Sequence, residues 1–257
     1  MDAHTGVNQR FWDEIAPLHA ASDYYDVDGF LAGATTLGDV EIAEVGGVTG
    51  LRMAHLMCHI GLDTMSWARR GAQVTGVDFS TEAISIARGL AQRAGLDVPF
   101  VCADVFDVDR HLDRRTYDVV FLSRGVLMWV EDIPALAEVC ASLLKPGGFF
   151  YLLDIHPLAM AIAQTPDGLH LQQSYFHSPT PSAVSTDGSY AISDAGLQHQ
   201  ETREWIHSVG DVVTALINAG IIIEFLHEFP ADAPTAGGPA AAALPALFSV
   251  RGTNWAQ

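Results

Sequence analysis

Two carboxylates stand where a nucleoside could use them. Asp78 closes the apolar run Val74–Val77, and Asp104 follows Phe100–Ala103; both runs are short, apolar and strand-like. Ahead of the first acid lies a turn at Gly61, roughly 20 residues upstream, the spacing at which an acid on the second strand of a βαβ unit accepts hydrogen bonds from ribose hydroxyls. The turn itself reads Met57-Cys58-His59-Ile60-Gly61. A loop that cradles phosphates wants several glycines, and this one has a single glycine, so the ligand it suggests is a nucleoside without phosphates.

Proton chemistry has candidates further on. His156 follows the run Phe149–Leu153 and Asp154, and an imidazole titrates close to neutrality; a histidine that merely caps the strand before Pro157 is the alternative. His207, at the entry to a closing helix, is the second candidate, with a capping or packing role as its alternative. Asp154 could orient either ring or touch substrate. His19 could reach down from the N-terminal segment, although a surface position is the simpler expectation. Met128 and Trp129 follow a central strand, so they line a pocket or belong to the core. The chain has 11 histidines, but none shows a metal-ligand spacing with a matching carboxylate, so no metal site is expected.

These side chains need a frame of alternating strands and helices. Arg52–Met57, Val74–Val77, Phe100–Ala103, residues 117–122 (Tyr-Asp-Val-Val-Phe-Leu) and Phe149–Leu153 read as strands. Leu62–Arg70, a segment from the Ser80 cap to Gly95, and Ile133–Leu144 read as helices. Gly71 and the run Lys145-Pro146-Gly147-Gly148 act as stops. Residues 8–40, rich in aromatic rings, predict two short helices broken near Pro17 and Gly33 and lying over the cleft; Glu41–Val45 adds another short helix. The stretch 157–207 holds four prolines and several aromatics, and reads as an insertion that covers substrate. A helix at Ser208–Ala219 and strands at Ile221–Phe229 and Ala246–Arg251, joined by a soft Pro, Ala and Gly-rich turn, close the chain, the two strands pairing antiparallel at one edge of a parallel sheet. The expected organisation is one domain over 1–257: cover 1–40, cofactor-binding core 41–156, insertion 157–207, closing helix and strand pair 208–257.

Composition narrows the ligand. The formal charge is −18, with only 13 Lys and Arg among 257 residues, which disfavours nucleic acid and anionic membrane as partners. A small-molecule acceptor fits better, and a homo-oligomer stays open. Three scattered cysteines without CxxC spacing point to reduced thiols. No signal peptide or ~20-residue apolar span is visible, and a cytoplasmic location is expected.

The ordered motifs resemble the class I S-adenosylmethionine-dependent methyltransferases. The resemblance is carried by His-Leu-Met-Cys-His-Ile-Gly-Leu-Asp-Thr (55–64), Gly-Ala-Gln-Val-Thr-Gly-Val-Asp-Phe-Ser (71–80), Ala103-Asp104, residues 117–130 and Leu-Lys-Pro-Gly-Gly (144–148); within the class these look like a bacterial small-molecule subgroup. It implies a Rossmann-like, doubly wound α/β fold with a seven-stranded, mostly parallel sheet whose last strand is antiparallel. S-adenosylmethionine is the implied cofactor and S-adenosylhomocysteine the product. Carried over by residue, Gly61 admits the methionine part, Asp78 holds the ribose hydroxyls, Asp104 receives the adenine amino group, and Ser123 lies at the strand-four tip; Phe79 and Val105, next to the two acids, join this set. The class usually carries an acid and two glycines where this chain has His55, Met57 and His59, so His59 or Asp63 would take over methionine contacts. The activity implied is methyl transfer to O, N or C of a small molecule, in specialised metabolism. A nicotinamide-dependent oxidoreductase, which the missing G-x-G-x-x-G weighs against, and a catalytically silent cofactor-binding scaffold are the rival readings.

Overall fold

Runs of β-branched and aromatic residues build a sheet buried on both faces, which is why they are apolar throughout instead of alternating. The structure is a computed structural model and describes residues 3–165, 167–230 and 243–255. Helices α1 (Ala3–Ala21), α2 (Val27–Leu31) and α3 (Asp39–Val45) precede the core. The core alternates β1 (Arg52–Leu56), α4 (Leu62–Arg69), β2 (Gln73–Asp78), α5 (Thr81–Ala94), β3 (Phe100–Cys102), β4 (Tyr117–Ser123), α6 (Ile133–Leu143) and β5 (Leu144–Ile155). Short 3-10 segments at Val105–Arg110 and Leu127–Trp129 follow β3 and β4. The insertion consists of α7 (Pro157–Ala161), the hairpin β6 (Ile162–Thr165) and β7 (Gly168–Leu171), and the hairpin β8 (Ser182–Ser185) and β9 (Glu201–Glu204). Then come α8 (Val209–Asn218), β10 (Ile221–Pro230) and β11 (Pro245–Asn254).

Seven strands form one sheet in the order β10-β11-β5-β4-β1-β2-β3. The five core strands run parallel, and β11 inserts antiparallel between β5 and β10. The last strand is therefore one in from the edge, and β10 forms that edge. The Pro-, Ala- and Gly-rich turn expected between these strands lies largely outside the described residues. On one face Leu56, Val120, Leu122 and Leu152 pack under α6 and α8. On the other Met53, Val119, Phe121 and Tyr151 pack with Trp67 of α4.

Two expectations need correction. Pro17 does not break the first helix: α1 continues through it to Ala21. A proline removes one helical hydrogen bond, but α1 is fixed from both sides. Gln9 Nε2 donates to Phe79 O (2.8 Å) and Ser80 Oγ to Asp13 Oδ1 (2.7 Å). From the insertion, the Gln198 and His199 amides donate to the Glu14 carboxylate (2.7 and 2.8 Å), and Asn8 exchanges two hydrogen bonds with the Arg203 backbone (2.8 and 2.7 Å). Packing overrides local propensity here. The second correction concerns Lys145-Pro146-Gly147-Gly148, which ends α6 but opens no loop. Strand β5 starts directly at Leu144, opposite Tyr117, and resumes pairing at Phe149 opposite Val119.

The turn after β1 is tied to the sheet by one aromatic ring. A Cβ on Gly61 (φ +75°) would lie 2.5 Å from the Phe100 ring, and one on Gly76 2.6 Å from it. Phe100 of β3 thus fills the space that two glycines vacate, pressing the β1–α4 turn onto β2. Replacing Gly76 with alanine should cost about 1–3 kcal/mol through overpacking. Adding Phe100→Leu should recover part of that loss, a non-additivity readable by urea denaturation of the single and double variants.

Candidate functional site

The site grows from the C-terminal ends of β1, β2, β3 and β4, where the strands of an open α/β sheet leave a crevice. Asp78 is the last residue of β2 and is 7% exposed. Each of its carboxylate oxygens accepts a backbone N–H: Oδ2 from His59 (2.8 Å) and Oδ1 from Ser80 (2.9 Å). Burial pushes its pKa up to about 6 against the pull of these donors. A cavity of about 420 Å³, open mouth included, is lined by Thr5 of α1, Met57, Asp78, Phe79, Asp104 and Trp129, with Val105 beside them. Asp104 caps the 3-10 turn after β3 by accepting from the Phe106 amide (3.0 Å).

The loop between β1 and α4 has Met57 and His59 where the resemblance implies glycines. Met57 (φ 57°) and His59 (φ 51°) both lie in the left-handed region, which non-glycine residues adopt at a cost and which clusters at functional sites. Gly61, also left-handed, stands at the N-cap of α4. His55, where the class carries an acid, is buried and paired through Nδ1 with Thr64 Oγ1 (2.8 Å); burial lowers its pKa to about 3, so it is neutral. Asp63, in the first turn of α4, accepts from Thr36 Oγ1 (2.5 Å) and from Ser123 Oγ at the tip of β4 (3.2 Å). Burial raises its pKa to about 6. Next to Ser123, Arg124 forms a two-point contact with the buried Glu41 (3.2 and 3.1 Å).

An aromatic and imidazole cluster closes this end. His19 is fully buried, contrary to the surface position expected for it. Its Nδ1 lies 3.0 Å from His59 Nε2, and its Nε2 2.7 Å from Ser189 Oγ. Tyr25 stacks on His19 and shares a 2.5 Å hydroxyl contact with Tyr190 of the insertion. Trp12 sets edges against His59 and Trp129. Of this cluster the sequence singled out His19, His59, Trp129 and the aromatic content of residues 8–40, and it counted Tyr190 among the aromatics of the insertion. Ser189 and Arg124 were not singled out, and the meeting of residue 190 with residue 25 was not expected, because no local pattern brings them together.

A second cavity, about 280 Å³ with its mouth, takes Leu127 and Met128 of the Leu127–Trp129 turn into its wall and is lined further by Gly125, Met160, Trp205, His207 and Phe248. His207 Nε2 donates to Val130 O (2.7 Å), which leaves the lone pair on Nδ1. Burial lowers its pKa to about 4, so the ring is neutral. Trp205 keeps its indole N–H buried with no partner among the described residues. Asp154, also at this cavity, has its carboxylate taken up by the Gly125, Val126, Leu127 and Ile155 amides. His156 is placed differently. Its Nδ1 accepts from the Leu158 amide (3.1 Å), capping α7, and its Nε2 donates to Glu228 Oε1 (2.8 Å). Neutral, it has no lone pair left for a substrate proton, and it lines neither cavity.

A sheet of this order, an acid at the tip of β2, a second acid after β3 and a glycine-like loop without phosphate donors define a nucleoside-binding α/β protein. The comparisons agree. The pattern described as "Methyltransferase domain" matches residues 55–152. A ubiquinone biosynthesis O-methyltransferase of Idiomarina loihiensis is 30% identical over 203 residues, covering 72% of this chain and 81% of that one. One from Nitrobacter winogradskyi is 32% identical over 145 residues, but the match spans only 54% of its length and 55% of this chain. A crystal structure of an S-adenosylmethionine-dependent methyltransferase from Mesorhizobium loti superposes with a TM-score of 0.65 at 26% identity, covering 87% of this chain and 99% of that one. The chain belongs to the class I S-adenosylmethionine-dependent methyltransferases. Among the described residues no helix is long and apolar enough to cross a membrane, and no group of three His, Cys, Asp or Glu could hold a metal ion.

The residues present fit that cofactor. The turn offers no phosphate cradle and none is required, while a buried carboxylate with both oxygens oriented at a strand tip suits a diol. The raised pKa of Asp78 carries a sign. A buried acid of this kind favours the folded apo protein below about pH 4 and loses that contribution as pH rises through about 6; ligand hydroxyls, by contrast, are best accepted by the ionised form. Affinity for S-adenosylhomocysteine, measured by calorimetry, should be highest above pH 7 and fall as pH drops through about 6. Asp78→Asn should bind roughly 10- to 100-fold more weakly at pH 8 and with a shallower pH slope.

Proposed function

We propose that this protein transfers the methyl group of S-adenosylmethionine to an O, N or C atom of a small, largely uncharged acceptor in specialised metabolism. The observation that carries the reading is that consecutive residues of one turn line two cavities: Trp129 lines the Asp78 cavity, while Leu127 and Met128 line a second one with Asp154, Met160, Trp205 and His207. S-adenosylmethionine, when bound, supplies an electrophilic methyl group on a sulfonium. In this reading Asp78 and Asp104 hold the nucleoside, with Phe79 and Val105 against it, while Gly61, His59, Asp63 and Ser123 border the methionine end. The acceptor enters the second cavity. Among the described residues no lysine or arginine lines that cavity, which argues against a carboxylate or phosphate on the acceptor.

His207 is the group proposed to take the acceptor's proton, since Nδ1 carries its lone pair at the wall of the second cavity. His156 has a supporting role in the same proposal, fixing α7 beneath Met160. Relatives by printed name methylate O in ubiquinone biosynthesis, and fold neighbours include a geranyl diphosphate C-methyltransferase of Streptomyces coelicolor (TM-score 0.64, 12% identity, 98% of both chains). That breadth leaves the acceptor atom to experiment, because one fold hosts many acceptors.

The test is mass-spectrometric detection of methylated product from a panel of phenols, amines and activated carbon acids. Tight S-adenosylhomocysteine binding without turnover on any of them would favour a silent scaffold, and NAD binding in its place would favour an oxidoreductase. For an active O–H or N–H acceptor, His207→Asn should lower kcat roughly 100-fold with little change in S-adenosylhomocysteine affinity. His156→Ala should instead appear in the melting temperature, through loss of a helix cap worth about 1 kcal/mol.

A further inference from the structure

We propose that Ser189 and His19 are positioning residues for Asp78, through which docking of the insertion and binding of the cofactor strengthen each other. The proposal rests on the cofactor reading above. Three contacts link four separate parts of the chain: Ser189 Oγ to His19 Nε2 (2.7 Å), His19 Nδ1 to His59 Nε2 (3.0 Å), and the His59 amide to Asp78 Oδ2 (2.8 Å). The path runs from the insertion, through α1 and the β1–α4 loop, to the acid at the tip of β2.

Each link has a reason to matter. His59 sits at φ 51°, a conformation its side chain does not favour, so something must hold the loop there. Its ring is held at Nε2 by His19 and at its faces and edges by Trp12 and Tyr25. Two neutral imidazoles can share a hydrogen bond only if one offers N–H and the other a lone pair. When His19 Nε2 donates to Ser189, His19 Nδ1 must accept from His59, and when Ser189 donates, the order reverses. The role the serine hydroxyl takes and the nitrogen on which His59 carries its proton are therefore linked through His19. The titratable groups against this pair are Tyr25 and Tyr190 on His19, Tyr25 on His59, and Asp78 at the His59 amide; Tyr24 in turn touches Tyr25 and Tyr190.

Around this point the insertion is seated on α1 by Tyr190 against His19, Tyr24 and Tyr25, and further along by Leu197, Ile192 and Ala195 against Phe11 and Ile15. Ser189 is the residue of that seat whose hydrogen bond leads to the ligand-holding loop, so seating and ligand binding are coupled, and such coupling is reciprocal.

Calorimetry with S-adenosylhomocysteine and hydrogen exchange of residues 186–197 supply the two readouts. Expected for the wild type is slower exchange in 186–197 when S-adenosylhomocysteine is added. Ser189→Ala should weaken binding roughly threefold to tenfold and abolish that added protection, and Ser189→Thr should restore both. In an Asp78→Asn background Ser189→Ala should have no further effect on affinity, which a purely structural role would not produce. Should Ser189→Ala lower the melting temperature, Tyr190→Phe, which deletes only a hydroxyl, should still reduce the added protection. Unchanged affinity and unchanged protection in Ser189→Ala overturn the coupling. Absence of wild-type binding overturns the cofactor reading itself, so the two failures are distinct.

Discussion

The structure depends on holding one buried carboxylate at the end of a strand. Asp78 is removed from water, which favours its neutral form, and two backbone amides pull it back toward ionisation. Those amides belong to different loops, the left-handed turn before α4 and the start of α5. Both loops lean on α1, His59 through His19, and Ser80 through Asp13. The N-terminal helix is therefore more than a cover. It aligns the two donors that make a strand-tip acid usable, and this explains why α1 stays helical across Pro17.

Asp78 and His207 show how burial sets the charge state of a polar group. Burial raises the acid and lowers the imidazole, both toward neutrality, as desolvation must. One hydrogen bond on His207 then decides which nitrogen keeps a lone pair, and the carbonyl of Val130 makes that choice because it can only accept. The same logic sets His156 apart: with a donor at one nitrogen and an acceptor at the other, its ring is a structural tie between α7 and β10.

The β1–α4 loop adopts left-handed backbone at two residues that are not glycine. Met57 and His59 stand where glycines are usual in the resemblance, and both still adopt a glycine-like φ. The strain is confined there by Phe100, which fills the room left by Gly61 and Gly76, and by the Asp78 bond to the His59 amide. Replacing a glycine by histidine also creates something a glycine cannot offer, a ring that reaches α1.

Much of this was legible in the sequence. Strand runs, the Ser80 cap, the left-handed stops and the order of the two acids are local features, fixed by backbone sterics and by apolar periodicity within a few residues, so the core sheet and the placement of Asp78 and Asp104 could be read directly. Local signals failed where distant contacts outweighed them. Pro17 looked like a break because propensity ignores the packing on both sides of α1, and Leu144 looked like a helix end because only the neighbouring Tyr117 makes it a strand start. The expected roles of His156 and His207 hinge on which partner each nitrogen meets, and those partners, Glu228 and Val130, lie 72 and 77 residues away. Sequence determined which groups could do chemistry; only the tertiary structure, by setting burial and hydrogen-bond partners, decided which of them keep a free lone pair or charge with which to do it.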